Sequence, residues 1–208
     1  MSAKAQSKVK FSVHPAVAMA QSVIAGMQEK TGRPLAEWLE LVASDGPATE
    51  KERRDWLKAE HGLGTNYAGC IAEISAGKGD LFSAEGYLRL AGQYVEALFA
   101  GPKAGLRPIY DALLQAGLKL GKDVKVCPCQ TFVPLYRNHV FAQIKPSTRT
   151  RIDFGLALKD TKTPKRLIDT GGFAKKDRIT RRIEISSPDE IDDEVRRWMQ
   201  VAYDLDAA

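Results

Sequence analysis

The chain is short of the residues from which most catalytic centres are built, with three histidines and three cysteines in 208 residues. Cys127 and Cys129 stand two apart around Pro128, and Cys70 is far away in sequence, so no secreted disulfide framework is present. Reduced thiols in a cytoplasmic protein are the expectation. Zinc sites use a Cys-x₂₋₄-Cys spacing and a second ligand pair. Cys-Pro-Cys with His61 and His139 has neither, which predicts no metal and no cofactor. No Ser or Cys occupies a nucleophile elbow, so catalysis has no support in the sequence. Apolar runs of about 18 residues are also missing, which excludes a membrane-spanning helix. Early lysines and Ala18-Met19-Ala20 faintly suggest a secretory signal. Pro15 interrupts a run that is already too short, and the pattern continues as an amphipathic helix.

What the chain does have is an uneven charge. Its net charge is +5, with charged residues at 27% and hydrophobic residues at 44%, ordinary for a globular protein. Between Lys122 and Arg182, however, fifteen Lys/Arg face five Asp/Glu, an excess of ten positive charges. The last 26 residues reverse this, with two basic against eight acidic. A concentrated basic field attracts polyanions and speeds encounter with them.

Periodicity predicts an α+β protein, with an N-terminal bundle of short helices followed by an antiparallel sheet packed against helices. Residues 1–13 read as a flexible tail, 14–77 as a helical module, and 81–206 as an α+β module with a meander and a C-terminal helix. In the first module, Val17, Ala20, Ile24 and Met27 share one helical face. Leu35, Trp38, Leu39 and Val42 form the stripe of a helix opened by Pro34. Thr49 reads as the N-cap of a third helix, stopped by Gly62, and Thr65 as the cap of a fourth. Gly77-Lys78-Gly79 reads as the linker. In the second module, helices carry Tyr87 to Leu98 and Tyr110 to Gly117. The period then falls to two. Ile152, Phe154, Leu156 and Leu158 alternate with polar or small residues in 149–158, as do Ile179, Ile183 and Ile185 in 178–185. Runs 131–137 and 139–145 read as a hairpin around Arg137-Asn138. Ser187, Pro188, Asp189 and Glu190 open the last helix, whose buried stripe is Ile191, Val195, Trp198, Met199 and Ala202.

The stretches KTGRPLAEWLELV and ERRDWLKAEHGLGTNYA resemble a bacterial helical module of unknown function. LRPIYDALL, FAQIKPSTRTRIDFGLAL and the acidic final helix resemble a second such module, often found downstream of the first. Together these cover nearly the whole chain. The resemblance implies a two-module architecture and carries no activity, substrate or site residue. The order of sheet and helix is also similar to that of small double-wing proteins, a likeness of fold alone.

The candidate interface is the polar face of the sheet. With Ile152 and Phe154 turned to the helices, Arg151 and Arg182 fall on the opposite face, with Lys145 and Arg149 near the strand ends. With Val140, Ala142 and Ile144 inward, Phe141 falls outward; Phe132 and Tyr136 join it in one register of their strand, which stays open because Val133 and Leu135 compete for the core. Arg137 and Arg178 complete the set. Aromatics ringed by arginines form a platform for single-stranded nucleic acid. In the competing reading that face is covered, and Arg151 and Arg182 pair with Asp153 and Glu184. Thr65 and Asn66 open a helix behind a Gly-containing turn, spaced as in a helix-turn-helix and able to receive a phosphate on free N–H groups. A plain helical corner explains the same residues, since that helix has no Lys or Arg before Lys78. Thr170-Gly171-Gly172-Phe173, beside Lys165, Arg166, Lys175 and Lys176, lacks the P-loop frame and reads first as a mobile loop. The function expected is non-enzymatic binding of a polyanion, most simply nucleic acid, through the 122–182 surface. The alternatives are a protein-interaction or structural module whose charges are neutralised internally, and a small-anion-binding protein or enzyme with a deep pocket.

Overall fold

The computed structural model describes residues 10–207, which divide into two units, residues 13–90 and residues 91–207 with 10–12. Of the expected tail, residues 1–9 lie outside the described residues. Beyond them the chain is anchored: the Ser12 N–H donates to the Val126 carbonyl at 2.8 Å, and Phe11 packs on the second unit's core.

The first unit is helical. Its α-helices are α1 (Pro15–Ala25), α2 (Met27–Thr31), α3 (Leu35–Asp45), α4 (Glu50–Ala59), α5 (Thr65–Glu73) and the first half of α6 (Ala84–Leu98). The single helix expected over 15–29 is divided at Gly26. The expected Thr49 cap is a full capping box, in which Thr49 and Glu52 each accept the other's backbone N–H. Thr65 does not cap α5; Gly64 holds that position, without a side-chain bond. Gly77-Lys78-Gly79 is not an open linker but part of a π turn (Ile74–Lys78) and a 3₁₀ turn (Gly79–Phe82). Met27, Trp38, Val42, Leu57, Leu63 and Ile71 make the core. Arg53 pins the corner by donating to the Pro47 carbonyl at 2.8 Å and to the Ser75 carbonyl and hydroxyl at 3.0 and 3.1 Å.

The second unit has a six-stranded antiparallel sheet in the order β1-β2-β3-β4-β6-β5. Its strands are β1 (Lys125–Val126), β2 (Val133–Tyr136), β3 (Val140–Pro146), β4 (Ile152–Leu156), β5 (Ile168–Asp169) and β6 (Arg181–Ile185). One face packs on α7 (Arg107–Leu118) and α8 (Asp193–Leu205). Ala142, Ile144, Ile152, Phe154, Ile183 and Ile185 are all fully buried there, as the period of two requires. Helix α7 approaches so closely that a Cβ on Gly117 would stand 2.5 Å from Leu135 Cδ1. The C-terminal helix starts later than the sequence suggests. Ser187 caps only a 3₁₀ turn (Pro188–Glu190), Ile191 leaves helical geometry, and Asp192 caps α8 by accepting the Val195 N–H. The expected stripe Ile191, Val195, Trp198, Met199 and Ala202 is buried throughout.

Two strand assignments are corrected. Pairing between β2 and β3 shifts at Leu135/Tyr136, so Phe141 is the extra residue of a bulge. Its ring is 0% exposed and stands edge-on to Tyr203, 5.5 Å between centroids, instead of facing solvent. Ile179 lies outside β6 and does not share the inner face of Ile183 and Ile185. Its Cγ2 sits 2.7 Å from where a Cβ on Gly155 would stand, over the polar face, which only glycine leaves room for.

Candidate anion-binding site

On the sheet's polar face, Asp153 of β4 and Glu184 of β6 are directly opposite each other. Like charges so placed repel. Arg151 and Arg182 resolve the conflict, because each reaches both carboxylates. Arg151 lies 3.0 Å from Asp153 and 3.1 Å from Glu184; Arg182 lies 3.1 Å from Asp153 and hydrogen-bonds Glu184 at 2.6 Å. The quartet is neutral, held by charge more than by hydrogen bonds, since Arg151 Nε and Asp153 Oδ1 are buried without a hydrogen-bond partner. The two arginines at the centre of the expected interface are therefore spent on internal neutralisation, as the competing reading had it.

Other expected site residues are also occupied. Arg137 donates through Nε to Asp123 at 2.7 Å and through Nη1 to the Tyr203 carbonyl at 3.3 Å, with its guanidinium 4.2 Å above the Tyr203 ring. The next residue of the hairpin tip, Asn138, donates to the Asp206 carbonyl at 2.9 Å. Both tip residues thus satisfy carbonyls at the C-terminal end of α8, where the helix dipole favours positive charge. The Tyr203 hydroxyl donates to Asp123 at 2.6 Å; that bond, followed by Arg137, holds the Asp123 carboxyl below its usual range. Arg178 pairs with Asp206 at 2.7 Å. Lys145 and Arg149 are exposed near the strand ends.

The remaining positive charge gathers elsewhere. Lys159, Lys162, Lys165, Lys175 and Lys176 are all exposed, and among the described residues none of them forms an ion pair. Arg166 of the same segment is anchored instead: it contacts Asp192 at 2.6 Å and Glu194 at 3.0 Å and donates to the Glu190 carbonyl at 2.7 Å. It ties the loop to the start of α8 and leaves the lysines facing water.

This segment borders a cavity of about 500 Å³ against the end of α8. Ala157, Ala174, Ala202 and Leu205 supply apolar wall, and Lys159 and Lys176 stand on the lining. Phe173, also on the lining, is 56% exposed, unusual for so large an apolar ring. Thr180 contributes a buried hydroxyl that accepts the Leu158 N–H at 3.2 Å. Asp206 is the hub: its side chain, only 2% exposed, accepts the His139 backbone N–H at 2.7 Å, meets the His139 ring at 3.1 Å and holds Arg178. Among the described residues, only Lys159 and Lys176 have positive φ without being glycine, at 52° and 57°. Each costs about 1 kcal/mol against the right-handed alternative. Both lie on this cavity.

In the first unit, Thr65 and Asn66 line a second cavity of about 320 Å³ with Arg54, Glu73 and Phe82. Arg54 is already engaged by Glu50 at 2.8 Å and lies 3.8 Å from Glu73, so the cation on this cavity is paired within the fold. Among the described residues no three His, Cys, Asp or Glu side chains group as a metal site. Burial pushes the Cys127 thiol up to about 12 and the Cys70 thiol up to about 11, away from thiolate chemistry. No described helix is long and apolar enough to cross a membrane.

Sequence reasoning noted the Gly171-Gly172-Phe173 loop and its lysines but missed Lys159 and Asp206 as parts of the same place. The exposed Phe173 between basic residues was the available signal. Asp206 reads in sequence as one more acid of an acidic helix. A family model described as Domain of unknown function (DUF4287) matches residues 19–75, and one described as Domain of unknown function (DUF5655) matches residues 95–206. The whole cavity lies inside the second match. No curated protein and no solved structure matches the chain.

Proposed function

We propose that this chain, which belongs to the family described as Domain of unknown function (DUF5655), binds a polyanion, most simply nucleic acid, through segment 159–178 of its second unit. The action is binding and not turnover. The observation that carries the reading is the contrast in pairing. The arginines of the sheet are neutralised by carboxylates within the fold. The five lysines of the loop are exposed and without ion pairs among the described residues. Free cations on a common segment release counterions when they meet phosphates, and that release drives sequence-independent affinity. The raised thiols and the absence of a nucleophile pattern support binding over catalysis.

Fluorescence anisotropy with a labelled oligonucleotide tests this. Affinity falls with salt as a straight line on logarithmic axes, with a slope of about 0.7–0.9 per phosphate contacted. Binding that is absent, or independent of salt, contradicts the proposal. The alternative, a structural or protein-interaction module with internally neutralised charge, draws on the ion quartet, and it accounts for the sheet face but leaves the lysines without a role.

A further inference from the structure

We infer that the cavity beside Phe173 receives an unstacked base, so that the ligand class is single-stranded nucleic acid and not duplex. This rests on the polyanion reading above and narrows it. A surface that only neutralised phosphates would need lysines and no cavity. Here the lysines adjoin a cavity of about 500 Å³, within the usual size of small-ligand sites. Ala157, Ala174, Ala202 and Leu205 join Phe173 in an apolar part that suits a flat ring, and the carboxylates of Asp177 and Asp206 on the same lining disfavour a phosphate inside it. Phe173 lines the same cavity and is 56% exposed. An aromatic ring left wet among cations is the arrangement on which successive bases stack, whatever their sequence. Lys159 and Lys176 hold left-handed backbone there, so the fold keeps two strained cations on the lining instead of relaxing them. Arg178, held by Asp206, provides guanidinium N–H groups on the same wall for the polar edge of a ring. A duplex has no extruded base to offer, and unstacking one costs a few kcal/mol.

The test compares a labelled oligothymidylate with a duplex of equal length, in anisotropy titrations of the full chain, its Phe173→Ala variant and its Phe173→Trp variant. Phe173 is exposed, so both substitutions leave the fold intact, checked by an unchanged Tm. The expected result is tighter binding of the single strand, about tenfold or more weakening by Phe173→Ala, and recovery with Phe173→Trp. Equal affinity for both ligands, untouched by Phe173→Ala, overturns the base-binding inference and leaves polyanion binding standing. Preference for the duplex also overturns it. No binding of either ligand overturns both.

Discussion

Two basic regions of the second unit carry cations of opposite fate. On the sheet, Arg151 and Arg182 sit among carboxylates that the strand register forces together, and each bridges both. On segment 159–178, lysines stand apart from any such partner among the described residues, two of them at a strained backbone. The first arrangement solves a problem the fold creates for itself. The second adds cost to the fold and returns nothing internal. A count of basic residues treats the two alike; only the geometry of pairing separates cations that stabilise from cations available to a ligand.

The strongest way to break this comparison is at the quartet. Replacing both arginines with Glu leaves four carboxylates on one partly buried face, and stability falls by roughly 2–3 kcal/mol in urea denaturation. Loss of oligonucleotide binding at unchanged stability would instead make the sheet the ligand face. Next in size is Asp206→Asn. It removes the charge opposite Arg178 and weakens the bonds to His139, at about 1–3 kcal/mol by the same measurement. Lys159→Asn with Lys176→Asn changes stability by no more than about 0.5 kcal/mol, in either direction, because Asn tolerates left-handed backbone and the lysines hold nothing. A large loss there would mean that the lysines are structural after all.

The smallest effect concerns pH. Asp123 has a folded pKa depressed by the Tyr203 hydroxyl first and Arg137 second. Its contribution is therefore complete above the ordinary unfolded carboxylate value of about 3.9 and is lost as pH falls through the lower folded value. Asp123→Asn removes that segment of the acid titration, visible as a flatter dependence of unfolding free energy on pH in strong acid.

Several elements were legible in the sequence: α3 through Trp38 and Val42, the N-cap at Thr49, the hairpin around Arg137-Asn138, and β4 with its alternating Ile152 and Phe154. The α+β order follows from them. What failed were positions where the period breaks. Phe141 turns inward because a bulge adds one residue, which alternation cannot register. Ile179 crosses to the polar face because Gly155 leaves space for it. Strands β1 and β5, two residues each, are too short to show any period. The site was half legible. The loop lysines and Phe173 are visible in sequence. Asp206 becomes a hub only when the end of α8 meets the hairpin tip, 67 residues away in sequence. Pairing between Arg151, Arg182 and their carboxylates was foreseeable from parity, since all four share one face.

The salt dependence of oligonucleotide binding, measured side by side for the unmodified chain and for Lys159→Asn with Lys176→Asn, tests the central claim most directly. The account predicts that the variant's logarithmic slope is shallower by roughly 0.7–0.9 for each lysine removed, with Tm preserved. An identical slope in the two proteins would contradict it, because the anion would then be held by other cations.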